Sequence, residues 1–156
     1  MIRPARDGDV PAMVALVREL AAYERAEHEV ELSEDALRRH LFGPAPRVFA
    51  HVAEVDGQAV GLAIWFFSYS TWRGRHGVYL EDLYVQPAHR GAGHGKALLA
   101  ALAAAAVAND CARVEWSVLD WNTPAIEFYR SLGAVAMDEW TVWRLTDGPL
   151  RALAGT

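Results

Sequence analysis

Tyr79-Leu80-Glu81-Asp82-Leu83-Tyr84-Val85, followed after three residues by His89-Arg90-Gly91-Ala92-Gly93-His94-Gly95-Lys96, carries more information than any other part of this chain. An apolar, β-rich run breaks into a glycine loop with an arginine and a lysine. The loop opens onto an alanine- and leucine-rich segment that continues to Ala108. Backbone N–H groups at such a loop and helix start bind anions, and glycines let a pyrophosphate approach the backbone closely. A cofactor-phosphate site at a strand end is therefore expected, which makes an enzyme the leading reading. An ordinary tight turn ahead of a helix is the plainer alternative.

Working outward, Val78 to Val85 is expected as a strand ended by Pro87, and Ala92 or Gly93 to Ala108 as a helix. The helix is apolar around most of its girth, so it is expected to lie largely buried. Arg113 to Leu119 returns as a strand, which closes a βαβ unit from Val78 to Leu119. Upstream, Val48 to Val55 and Ala59 to Tyr69 form a hairpin about Asp56-Gly57, a strong turn signal. Ile2 to Ala5 is a short first strand. Asp7 or Asp9 can cap a helix that has Pro11 in its first turn and Met13, Leu16, Val17 and Leu20 at helical spacing. Ser33 can cap a second helix running to Leu41 and stopped by Gly43-Pro44. Downstream, Thr123 to Leu132 is a helix with Pro124 at its start and Gly133 past its end. Ala134 to Met137 and Trp140 to Leu145 are expected as two last strands, and the tail as a final turn of helix. The fold class is mixed α/β, and residues 1–156 make one domain with no internal repeat or linker.

Hydrophobic content of 53% with 22% charged residues is globular. A net charge of −5 argues against broad phosphate neutralisation, so no nucleic-acid partner is expected, and it suits a small cationic substrate. The single cysteine, Cys111, excludes an intramolecular disulfide, and the six histidines show no metal-ligand spacing, so no metal is expected. The N-terminus lacks the apolar core of a signal peptide, and the longest apolar stretch, Ala97 to Ala108, is too short to span a bilayer. A cytoplasmic protein without a membrane partner is expected.

Three phosphate-binding patterns compete for the loop. A P-loop needs Gly-Lys-Ser/Thr after four spacer residues, but Lys96 stands five residues after Gly91 and Ala97 follows it. A dinucleotide fingerprint needs a third glycine where Lys96 or Leu98 stands. The third pattern, Arg/Gln-x-x-Gly-x-Gly/Ala, is met at every fixed position by Arg90-Gly91-Ala92-Gly93-His94-Gly95. Here the chain resembles the GNAT superfamily of acyl-CoA-dependent N-acetyltransferases. Ile2-Arg3-Pro4-Ala5, Glu19-Leu20-Ala21, Tyr23-Glu24, Tyr79-Leu80-Glu81-Asp82, Trp121-Asn122 and Phe128-Tyr129 with Gly133-Ala134 resemble its diamine (spermidine/spermine) acetyltransferase family. Tyr69 to Arg75 and Val118 to Asn122 look closest to the thialysine Nε-acetyltransferase branch.

The resemblance implies a GNAT fold: a mostly antiparallel central sheet, splayed between the strands at 78–85 and 113–119 and flanked by helices. It implies acetyl-CoA as cosubstrate, with its pyrophosphate on the backbone of Gly91, Ala92, Gly93, His94, Gly95 and Lys96, and charge added by Arg90 and Lys96. The backbone of Leu83, Tyr84 and Val85 would carry the pantetheine arm like an added strand, and a backbone N–H there would stabilise the oxyanion. Asn122 and Ala125 would contact the cofactor, and Asn122 can also cap the helix after it. Tyr129 would donate a proton to the departing sulfur. A phenol with a pKa near ~10 suits that task, although helical spacing alone would make Tyr129 a core residue. A homodimer is implied as well.

An alkyl amine with a pKa near ~10.4 must lose a proton before attack. Glu81 is the candidate acceptor, through water, and simple cation binding is its other open role. Asp82 points to the opposite face if the strand is regular. Tyr23 and Glu24 match a segment bordering the amine pocket in the diamine enzymes, and a solvated acidic face is the plainer reading. Trp72 lies beside the expected substrate loop. Ser70 stands where those enzymes carry an aspartate and Thr141 where they carry another acidic residue, so a short lysine analogue is favoured over a polyamine, with Arg73 or Arg75 available to its carboxylate. The expected function is transfer of acetyl from acetyl-CoA to the primary amine of such a small molecule or of a di- or polyamine. A protein N-acetyltransferase and a non-catalytic acyl-CoA-binding module are the alternatives.

Overall fold

The computed structural model describes residues 1–156. The chain divides into two compact units, Met1–Ser117 and Val118–Thr156. The first holds one five-stranded sheet in the order β1 (Ile2–Pro4), β2 (Phe49–Val55), β3 (Gln58–Ser70), β4 (Arg75–Val85) and β5 (Val114–Glu115). All neighbours are antiparallel except β4 and β5, which are parallel. The helices of this unit are α1 (Val10–Tyr23), α2 (Glu34–Phe42) and α3 (His94–Ala108). The mixed, mostly antiparallel sheet with flanking helices matches expectation.

Local chemistry explains most of the boundaries. Asp56 and Gly57 both have positive φ, 50° and 78°, as the tight hairpin turn between β2 and β3 requires. Ser33 Oγ accepts the Ala36 N–H at 3.1 Å and caps α2. Asp9 occupies the N-cap of α1 but does not cap it with its side chain. Its carboxylate instead accepts both Arg3 Nη1 (2.7 Å) and Nη2 (2.9 Å), and the Arg6 N–H at 2.7 Å. Arg3 Nε also donates to Glu54 at 2.7 Å, so one guanidinium ties β1, the start of α1 and the end of β2 together.

The main core lies between α1, α2 and one sheet face. Val10, Met13, Leu16 and Leu20 of α1 and Leu37 and Leu41 of α2 pack with Ala50, Val52, Leu62, Ile64 and Tyr84. Alternation puts Ala63, Val78 and Leu80 on the other face, which α3 covers with Leu98, Leu99, Leu102 and Ala106. The rest of α3 corrects the expectation of a largely buried helix: Ala100, Ala103, Ala104, Val107 and Ala108 are exposed. Alanine favours helix through its backbone whether or not it is buried, so composition overstated how much of the girth is covered.

Two strand expectations are also corrected. The strand expected at Arg113 to Leu119 pairs only at Val78↔Val114 and Tyr79↔Glu115, and then leaves the ladder. In the second unit, 134–137 and 140–145 form no strand. A strand exists only when a neighbour supplies its ladder, and these alternating apolar residues join none. The second unit contains α4 (Thr123–Ser131) and α5 (Asp147–Ala154). The first ends, as expected, at Gly133 with φ 86°; the second is two turns of helix where one was expected. No helix is long and apolar enough to cross a membrane.

Candidate active site

The parting of β4 from β5 is the first element of the site. From Leu80 to Val85, β4 has β3 on one side and no strand on the other. Side chains bridge the gap at its mouth, where the Tyr79 hydroxyl and Ser117 Oγ lie 3.0 Å apart. Leu83, Tyr84 and Val85 therefore stand on an open sheet edge, which an extended amide-bearing ligand can join as a strand would.

Directly beyond, Pro87–His89 makes one 3-10 turn and the glycine loop follows. Gly91 and Gly93 have φ of 81° and 83°, a region L side chains rarely adopt. Gly93 is the N-cap of α3, so the first N–H groups of a 15-residue helix open onto the loop, and Lys96 is exposed in its first turn. A pyrophosphate fits this chemistry: unpaired N–H donors, positive φ and a lysine on one short arc. Arg90 turns back toward the sheet. Its Nε donates to the Val85 carbonyl at 2.8 Å, and its guanidinium carbon lies 5.5 Å from the Tyr84 ring centre and 5.6 Å from that of Tyr23.

The acidic side of the site departs from the regular strand assumed above. Ile64 pairs with Asp82 but Trp65 pairs with Leu80, so Glu81 is a β-bulge without a partner residue on β3. Glu81 is exposed, whereas Asp82 is half-buried and follows Tyr84 and Ile64 onto the α1 face. Burial, and then the charges of Glu81 and Glu24, push the Asp82 carboxyl up to about 6. Partial desolvation raises the Glu24 carboxyl too, although the residue as a whole keeps solvent contact. The charges of Glu81, on the bulge, and of Glu24, just past α1, thus both act on Asp82. Asp82 shares a face with Tyr84, as alternation gives, but the bulge puts both on the face opposite Val78 and Leu80. The spacing of Val78, Leu80, Leu83 and Val85 held the signal, because the three-residue step between the leucines breaks the period of two.

Trp72 is not brought to this cluster. It is 90% exposed at the tip of the β3–β4 hairpin, beyond the Ser70↔Arg75 pair and five pairs along the ladder from Trp65↔Leu80. Ser70 is buried, and its Oγ accepts the Arg73 N–H at 3.2 Å, so it closes the hairpin turn. Arg75 is paired with Asp110 at 3.2 Å. In the second unit, Asn122 Oδ1 accepts the Ala125 N–H at 3.4 Å, the cap expected of it, and Tyr129 on α4 packs its ring 5.5 Å from that of Phe128. No group of three or more His, Cys, Asp or Glu side chains gathers as a metal site.

An open β4 edge running into a glycine loop and helix start is the acyl-CoA arrangement that the sequence resemblance implies, and comparison with known proteins agrees. The Acetyltransferase (GNAT) family matches residues 13–134. The chain is 40% identical to thialysine N-epsilon-acetyltransferase of Bos taurus, over 99% of its own length and 97% of that protein's. It is 29% identical to L-ornithine N5-acetyltransferase of Arabidopsis thaliana, over 97% and 86%. Among solved structures, an integron cassette protein from the mobile metagenome of V. cholerae superposes with a TM-score of 0.82 at 26% identity, covering 100% of this chain and 98% of that one. Acetyltransferases of this family use acetyl-CoA. With fold, loop and near full-length similarity in agreement, this chain belongs to the GNAT acetyltransferase family and is an acetyltransferase enzyme.

Proposed function

We propose that this enzyme acetylates the terminal primary amine of a small ω-amino acid of the thialysine, lysine or ornithine kind. The observation that carries the reading is Asp82, half-buried on the open-edged strand β4, with its carboxyl raised by burial and by the charges of Glu81 and Glu24. Three carboxylates favour a cation, and one with a pKa near neutrality can take a proton from an ammonium and release it to water. Names of relatives along nearly the whole chain point to amino acids with a side-chain amine.

When bound, acetyl-CoA supplies the acetyl group as a thioester. The Leu83–Val85 backbone and the Gly91–Lys96 loop would hold it, and on the family resemblance Asn122 and Ala125 would contribute. Asp82, with Glu81 and Glu24 beside it, orients the ammonium and accepts its proton. On the family resemblance, the Tyr129 phenol would supply the proton that the departing thiolate needs and would regain one from the surplus N–H proton of the acylated nitrogen, through solvent. A homodimer is part of the reading. Its support is the exposed apolar surface of the second unit, where Val142 and Trp143 are 81% and 91% exposed.

Acetyl-CoA offered with thialysine, lysine, ornithine, putrescine and spermidine, with release of free thiol followed, tests the proposal. The amino acids should turn over with kcat/KM at least about tenfold above the diamine and triamine. Turnover of spermidine above all amino acids, or of none of the five, overturns it.

A further inference from the structure

Glu19 lies on α1, one turn before Tyr23, and faces the junction of β4 with the glycine loop. Its two carboxylate oxygens are divided between two donors: Oε2 accepts the Tyr84 hydroxyl at 3.2 Å and Oε1 accepts Gln86 Nε2 at 3.0 Å. The Tyr84 side chain is buried in the main core, and the Gln86 backbone N–H donates to the Val60 carbonyl at 2.9 Å. One acidic side chain therefore pins both the last residues of β4 and the first residue beyond it. Arg90, the first residue of the loop pattern, rests on the ring that Glu19 holds: its guanidinium lies over Tyr84 and over Tyr23, and its Nε binds the Val85 carbonyl. Glu19 and Tyr23, four residues apart, present one face of α1 to this junction.

We propose that Glu19 is a positioning residue for the cofactor site: by holding Tyr84 and Gln86 it sets the end of the β4 edge and the seat of Arg90, and so the register between that edge and the phosphate loop. The inference rests on the reading of β4 and the loop as the acyl-CoA site. A ligand that pairs with a strand edge and also binds an adjoining loop needs both at a fixed separation, and errors near 1 Å weaken it sharply. Charge is not the property that matters. A glutamine at position 19 can accept from Tyr84 through its oxygen and donate to Gln86 once the Gln86 amide has flipped.

The test compares wild type, Glu19→Ala, Glu19→Gln and the double variant Tyr84→Phe/Gln86→Met. Steady-state kinetics give both substrates' constants, and calorimetry gives Kd for coenzyme A without amine. Glu19→Ala should raise KM for acetyl-CoA and Kd for coenzyme A about tenfold, with kcat at saturation within about threefold and KM for the amine within about twofold. Glu19→Gln should return both cofactor constants to within about threefold of wild type. The double variant, which removes the donors rather than the acceptor, should reproduce the alanine effect even if Glu19→Ala proves insoluble. Unchanged cofactor constants in Glu19→Ala or in the double variant, a loss confined to kcat, or a glutamine variant as impaired as alanine each overturn the proposal. A wild-type protein that binds coenzyme A but acetylates none of the offered amines sinks the substrate reading alone, since the Kd comparison still decides this one. A wild-type protein that does not bind coenzyme A overturns both.

Discussion

Asp82 on β4 and Glu24 just past the end of α1 lie within electrostatic reach of one another, and the charge of Glu24 helps hold the Asp82 carboxyl near 6. Two elements that are 58 residues apart in sequence thereby set the proton affinity of one group. The relationship exists because the bulge at Glu81 delivers Asp82 onto the face that α1 covers.

The pH profile should show it. With Asp82 as proton acceptor, kcat/KM falls by about tenfold per unit below about pH 6, as the carboxyl becomes protonated in the free enzyme. Replacing Glu81 or Glu24 by glutamine removes a negative neighbour, lowers the Asp82 pKa and moves the acid limb to lower pH, with Glu81 having the larger effect. An acid limb that stays in place in both variants would take the role from Asp82.

Stability and activity should oppose each other at this residue. A raised carboxyl pKa means that the folded state disfavours the ionised form, so stability declines as pH rises from about 4 to about 6 and the full penalty remains above that. Asp82→Asn should therefore raise stability at pH 8 by about 2 kcal/mol while lowering kcat/KM by at least about a hundredfold. Denaturant melts at pH 8 and pH 4 check it, and the gain should shrink at pH 4.

The Arg3–Asp9 pair should be the most sensitive ion pair in the first unit. Both side chains are nearly covered, at 11% and 13% exposed, and the bond is bidentate. Removing Asp9 leaves the poorly solvated Arg3 with Glu54 as its one carboxylate partner, so Asp9→Ala should cost about 2 kcal/mol. The Arg3 hydrogen bond chiefly holds the Asp9 carboxyl below its usual range. Its contribution is therefore complete above about pH 4 and is lost as pH falls further. Acid unfolding of wild type and variant, followed by far-UV circular dichroism, should converge at low pH.

Gly93→Ala separates backbone strain from crowding. An added Cβ would meet nothing within 4 Å, but φ is 83°. Alanine there should cost about 1 kcal/mol, a fall of a few degrees in Tm, and raise KM for acetyl-CoA several-fold as the loop relaxes. An unchanged KM would remove the loop from the cofactor site.

Much of this was legible locally. Asp56-Gly57, Ser33 and Gly133 act over a few residues through φ preference and capping, and each behaves in the fold as its chemistry dictates, while Gly91 and Gly93 take the positive φ that the loop ahead of α3 requires. The hairpin, the helices and the loop at a strand end follow from such terms. The open β4 edge did not come from the residues themselves but from the family resemblance, because nothing in Arg113 to Leu119 says that pairing stops at Glu115.

By itself, then, the sequence determined the order of elements through α3, the glycine loop ahead of that helix and the acidic stretch that follows α1, since these depend on short-range conformational and electrostatic preferences. Tertiary structure alone decided which carboxylate is desolvated, which face of the alanine-rich α3 is covered, that Trp72 stands far along the hairpin from Asp82, and that 134–145 forms no strand. Burial, register and strand pairing are properties of two segments at once. A one-residue bulge exchanges the faces of every side chain beyond it, and neither segment encodes that outcome without the other.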